Sequence, residues 1–208
     1  MASLAALQIA DDPDVWADLG FTTTPEGAVW VDGVEHHLGS EGKRIVGWSL
    51  FGVSLPPGAT SVDGLATTVV DDLPDPGPTT HPNGVTGLDH VVVATPDHAR
   101  TIAALETVGL RLLRVRETDS YGTPMRQAFF RLGPVILEVV GGHEPDAGPA
   151  RFFGLAWTCA DLDATVEWFG GRLHPPKAAV QEGRRIATLD RGAGTTVAMA
   201  FMSPDPPR

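Results

Sequence analysis

The stretch GLDHVVVATPDHARTIAALETVG, residues 87–109, decides the fold. Leu88 to Ala94 is a β-branched run of strand length, and Thr95, Pro96 and Asp97 follow it as an N-cap, a helix-compatible proline and a first-turn acid. Ala99, Ile102, Ala103, Leu105 and Val108 then recur with a 3.6-residue period, and Gly109 suits a left-handed C-cap, so the spacing predicts a strand leading into a helix.

Downstream, Leu110 to Arg116, Arg126 to Leu132 and Val135 to Val140 read as three strands, parted by the turn-rich 119–124 and by Gly133-Pro134. The unit is β-α-β-β-β, and it recurs. A later copy runs from the strand Phe152 to Cys159 through a helix starting near Asp161 and ending at Gly170-Gly171. Its closing strands are Lys177 to Val180, Arg184 to Leu189 and Thr196 to Met202. An earlier, more compact copy has the strand Leu4 to Ala10, a helix from Asp12-Pro13 to Gly20, and strands Ala28 to Val31, Val34 to Leu38 and Ile45 to Val53, with Asp32-Gly33 as a hairpin turn. The expected organisation is an additional half-unit over 1–54, a Pro/Gly-rich linker over 55–86 in which Gly64 to Val70 could add an element, two modules over 87–203, and a tail over 204–208.

Bulk properties narrow the partners. A formal net charge of −11, from 26 acidic and 15 basic side chains, disfavours phosphate backbones and anionic membrane surfaces, so no nucleic-acid or membrane partner is expected. No run of residues approaches the length needed to span a bilayer and the N-terminus has no leader pattern, which makes a cytoplasmic protein the simplest inference. Cys159, the single cysteine, lies in an apolar run and reads as a buried, inert thiol. Dinucleotide, P-loop and nucleophile-elbow patterns are missing.

GLDHVVVATPD at 87–97 resembles the module opening of the vicinal oxygen chelate superfamily (glyoxalases, bleomycin resistance proteins and extradiol dioxygenases), and VILEVV at 135–140 resembles its closing strand. The resemblance implies an α+β fold in which repeated βαβββ modules form curved mixed β-sheets with helices on the outer face. It does not fix the chemistry, because the superfamily holds lyases, isomerases, epimerases, dioxygenases and drug-sequestering proteins.

In metal-dependent members the ligands come from the first and last strands of paired modules, and by position His90 and Glu138 match the two from one module. The companions are missing: Gly154 and Leu7 stand where the other copies would place the histidine, and neither of the other closing strands carries an acid. Two protein ligands fall short of the three usual for catalytic zinc or non-haem iron. His90 and Glu138 therefore have three readings: a structural pair, ligands of a single divalent metal ion completed by other groups, or a metal-free acid/base couple. The expected cofactor is none or one divalent metal ion.

Strand alternation puts Leu88, His90 and Val92 on one face, with Ile136, Glu138 and Val140 sharing a face of the closing strand. Arg114, Arg116, Arg126, Gln127 and Tyr121 are candidates for holding an anionic substrate, with exposed strand faces or a surface loop as the plain alternative. His36 and His37, after Glu35, lie on a short strand that could lend a ligand if the first copy faces the cavity. His81, His98, His143 and His174 are expected at the surface. The function expected is a small-molecule enzyme, a lyase, isomerase or epimerase, acting on an oxygen-rich or anionic substrate. The alternative is a non-catalytic small-molecule binding or sequestration protein with Trp157 and Phe129 among its cavity walls. An odd module leaves an exposed edge or apolar face, to be covered by the same chain or by a homodimer, of which the homodimer is favoured.

Overall fold

The computed structural model describes residues 1–77, 80–119 and 122–206. Two mixed sheets carry the chain. The larger is built from β7 (Val85–Thr95), α2 (His98–Thr107), β8 (Arg111–Thr118), β9 (Met125–Leu132) and β10 (Val135–Gly141), then β11 (Arg151–Cys159), α3 (Leu162–Phe169), β12 (Lys177–Ala178), β13 (Arg185–Thr188) and β14 (Ala198–Met202). Its eight strands run in the order β12-β13-β14-β11-β7-β10-β9-β8, so each module places its last strand parallel to its first, and the two opening strands meet antiparallel at the centre. The elements thus follow the βαβββ order twice over.

Helix starts follow the acids in the sequence. Asp161 caps α3, its carboxylate accepting from the Asp163 and Ala164 amides, and Gly170 closes the helix in the left-handed region at φ 57°. On α2 the cap is Asp97, two residues later than Thr95: its carboxylate accepts from the Arg100 amide, while Thr95 Oγ1 accepts from the Asp97 amide.

The first seventy residues form more than a half-unit. β1 (Ser3–Ile9), α1 (Pro13–Asp18), β2 (Ala28–Val31), β3 (Val34–His37) and β4 (Ile45–Phe51) occupy the expected segments, with Asp32 and Gly33 at φ 50° and 78° in the tight β2–β3 turn. However, β3 already fills the parallel flank of β1, so β4 pairs antiparallel on the other side and opens a second half. That half continues into the segment read as linker, where β5 (Ser61–Val62) and β6 (Leu65–Val70) complete the sheet order β2-β3-β1-β4-β6-β5. Each half thus has the module's order with one strand fewer, and the second has no helix after its opening strand. The odd copy is a shortened pair. The end of the connector is also tied down: the His81 ring accepts from the Thr22 amide and bonds the Trp30 carbonyl, and the Asn83 amide donates to Leu19 O.

The smaller sheet packs on the helix-bearing face of the larger one, so its cover comes from the same chain. Trp157 of β11 is fully buried against Trp16, Phe21 and His36, at ring-centroid distances of 5.8, 5.0 and 5.2 Å, and Trp48 meets Phe152 at 5.3 Å. Trp157 is therefore a pillar between the sheets, not a cavity wall. Cys159 is buried too, and burial raises its thiol to about 11, as an inert core cysteine requires. No helix among the described residues is long and apolar enough to cross a membrane.

His36 is sealed in this interface and cannot supply a ligand to the opposite face. Its Nδ1 donates to the Val29 carbonyl at 3.1 Å, and burial, outweighing that bond, lowers the ring's pKa to about 4. The unfolded ring charges near 6.5 and the folded ring only near 4, so its stabilising contribution is complete above pH 6.5 and declines as pH falls through that window. Buried His81, lowered in the same direction by burial, adds to the slope. Urea unfolding at pH 7 and pH 5 is expected to show a loss of about 2 kcal/mol at the lower pH, most of it removed in His36→Phe. An unchanged slope in that variant would refute the assignment. His98 is likewise buried, whereas His143 and His174 are exposed.

Candidate functional site

A β-bulge builds the site. β7 and β11 pair Ala156 with His90 and Trp157 with Leu88, leaving Asp89 as the extra residue. Leu88 consequently joins the core with Val91 and Val93, and Asp89 and His90 both reach the open face, where simple alternation would have paired Leu88 with His90. On the neighbouring strand Glu138 alternates with buried Leu137 and Val139 and faces the same cavity.

The imidazole lies between two carboxylates. His90 Nδ1 is 2.8 Å from Asp89 Oδ1, and His90 Nε2 is 3.4 Å from Glu138 Oε2. Burial pushes the Asp89 carboxyl up, but the His90 bond and charge and those of Arg184 outweigh it and hold the group at about 2. An ionised carboxylate only accepts, so Nδ1 carries the proton it donates to Asp89, and Nε2 is the ring nitrogen left facing Glu138.

The array extends in both directions. Arg184, 6% exposed, donates from Nη1 to Asp89 Oδ2 at 2.5 Å and from Nε to Ser203 O at 2.8 Å. On the other side the Gln127 amide donates to Glu138 Oε1, and Arg116 Nε donates to Gln127 Oε1 at 2.6 Å. Arg114 and Arg116 stack their guanidinium groups over the Phe129 ring at 4.8 and 5.2 Å. The chain Arg116–Gln127–Glu138–His90–Asp89–Arg184 thereby crosses from one module to the other.

Sequence reasoning placed His90, Glu138, Arg114, Arg116, Gln127 and Phe129 at this cavity, and the structure brings them together. Arg126 is not among them: it follows the opposite alternation on β9 and bonds its cross-strand neighbour Glu117 at 3.1 Å, a carboxylate shared with His143. Tyr121 lies outside the described residues. Asp89, Arg131 and Arg184 were missed. Asp89 was concealed by the bulge, which has no local signature, and Arg184 is brought to Asp89 from 95 positions away.

The resemblance implies ligands at His90 and Glu138, but the facing strands of the paired module offer Gly154, Ala156, Ala198 and Ala200. A Cβ on Gly154 would lie 2.4 Å from the Ala198 carbonyl oxygen, so the strand spacing itself closes that position to a ligand side chain. Among the described residues no group of three or more His, Cys, Asp or Glu is arranged to hold a metal ion. This donor set does not fit a firmly held catalytic ion. Gly154→Ala is expected to lower stability by roughly 1–3 kcal/mol in denaturant unfolding through overpacking, and a neutral result would show that the strands can part.

No family model matches the sequence, and no curated protein matches it. Solved structures do. Methylmalonyl-CoA epimerase from Mycobacterium tuberculosis aligns at 22% identity over 59% of this chain and 91% of its own, with a TM-score of 0.49. A triple mutant of 4-hydroxymandelate synthase from Streptomyces coelicolor aligns at 13% identity over 99% of this chain and 93% of its own, with a TM-score of 0.66. A xylose isomerase-like TIM barrel/4-hydroxyphenylpyruvate dioxygenase fusion protein aligns at 10% identity over 99% of this chain and 50% of its own, with a TM-score of 0.61. Module order, paired opening strands and the two likenesses with TM-scores of 0.66 and 0.61 agree: the chain has a glyoxalase-like fold.

Proposed function

We propose that the chain is a small-molecule enzyme, an isomerase, epimerase or lyase, that moves a proton at a carbon next to a carbonyl group of an anionic substrate. The observation that carries this reading is the Asp89–His90–Glu138 array at the cavity wall, with Nδ1 held by one carboxylate and Nε2 facing the other. His90 Nε2 takes the proton, the C–H electron pair moves to the carbonyl oxygen, and an enolate forms. Asp89 fixes the ring's tautomer, and Glu138 stabilises the imidazolium. Arg114, stacked on Phe129 and with no carboxylate partner among the described residues, binds the substrate anion or the developing oxyanion. Reprotonation of the same carbon on its opposite face gives epimerisation, reprotonation at another carbon of the enolate system gives isomerisation, and loss of a β-substituent with its electron pair gives a lyase.

The test is hydrogen exchange. Short 2-oxo and 3-oxo carboxylates incubated with the protein in deuterium oxide are expected to exchange their activated C–H, followed by NMR, in a reaction lost with His90→Gln. Tight binding with no exchange by either protein would favour the sequestration reading, for which the missing second half of the ligand set speaks. Exchange undiminished in His90→Gln would remove His90 from the chemistry.

A further inference from the structure

The cavity has two lobes, of about 650 and 720 Å³, that share His90, Arg114, Phe129, Glu138 and Gln181. Their characters differ. The first is walled by charged and hydrogen-bonding groups, among them Asp32 from the β2–β3 turn, Asp89, Arg131 and Arg184. The second runs over the half of the sheet that carries Gly154, Ala156, Ala198 and Ala200, and Val92, Ile186 and Phe153 surround that low floor.

Two exposed large apolar residues, Phe153 at 43% and Val180 at 58%, border this second lobe. Apolar side chains left in water inside a concavity mark where a ligand's apolar surface would be covered. The lobe's Arg116 is already tied to Gln127, whereas Arg114 stands at the junction of the lobes with its guanidinium over Phe129. An acidic group can therefore be anchored at the junction with a greasy extension on one side and a hydrogen-bonding one on the other.

We propose that the site takes an amphipathic organic anion, its acidic and oxygen-bearing end at Arg114 and the first lobe, and its apolar chain along the floor at Ala156 and Ala200. The loss of the second ligand pair, on this view, made the room for the chain. This inference rests on the proposed placement of the substrate anion beside Arg114 and His90.

Calorimetric titration with straight-chain 2-oxo carboxylates of four to ten carbons, below micellar concentration, tests it. Affinity is expected to rise roughly two- to fourfold per added methylene. In Ala200→Leu, whose side chain would fill the floor, the rise is expected to flatten for the longer acids. A thermal melt accompanies the variant, and Ala198→Leu, at a more exposed position on the same strand, replaces it if Ala200→Leu melts early. Affinity independent of chain length in the parent protein, or an unchanged rise in a folded variant, would overturn the proposal. The two readings fail separately: chain-dependent binding without His90-dependent exchange sinks the proton-transfer function and leaves the amphipathic pocket, and exchange on short acids with flat binding does the reverse.

Discussion

His90→Gln is expected to slow deuterium exchange at the substrate carbon by about 10²–10⁴-fold, the range in which a positioned acid/base group contributes. Glutamine retains a polar side chain of similar reach and can still bond Asp89, so the fold and the cavity should survive. What it lacks is a ring nitrogen that can take up and return a proton. Ligand affinity measured alongside should change far less than the rate, because the anion is held by Arg114. If instead rate and affinity were unaffected and the protein merely melted earlier, His90 and Glu138 would be a structural pair joining β7 to β10. Asp89→Asn should lower both readouts: with its oxygen drawn to Arg184 the amide turns a donor towards Nδ1, so exchange falls, and the buried Arg184 loses its carboxylate, so the melting temperature falls as well.

The largest effect on stability is expected from Trp157→Ala, a loss of about 3–5 kcal/mol in urea unfolding. The indole is fully buried and touches residues from α1, β3 and the segment after α1, so its removal opens a cavity that two sheets would have to move together to fill. Trp157→Phe should recover more than half of the loss, since one ring can keep the contacts to Trp16 and Phe21. A small loss in Trp157→Ala would show that the sheets are held chiefly elsewhere, for example by Asp63, which binds Arg100 at 2.7 Å, and by Asp11, which accepts from Thr195 and Thr196. Because Trp157 lies beneath the sheet and His90 above it, the two substitutions should leave each other's readout nearly unchanged.

How far the sequence could be read depended on the range of the interaction concerned. The strands of residues 87–203 were legible because β-branched runs, Gly turns and acid-capped helices are local signals, and the pairing of β7 with β10 follows from the module's order. The Asp97 cap and the Gly170 stop are local in the same sense. His90 and Glu138 were marked by the resemblance of their strands to those of the superfamily, and period-two alternation put Arg114 and Arg116 on one strand face without knowledge of the partner. The same rule misled at Asp89, where one extra residue in β7 reversed the face of Leu88, whereas Arg126, next to Gln127, points away from it as period two requires.

The amino-acid sequence by itself determined the βαβββ order, the helix ends and one polar half-site, because each is set by residues within a turn or a strand of one another. The tertiary structure alone decided that residues 1–70 are a second, shortened pair of modules, since the choice of β1's flank by β4 is made by strand competition in space. It also decided that Trp157 and His36 belong to the seam between the sheets, that Arg184 holds Asp89, and that Gly154 is closed to a ligand by the Ala198 carbonyl. Those contacts join positions far apart in the chain, and no local pattern records them.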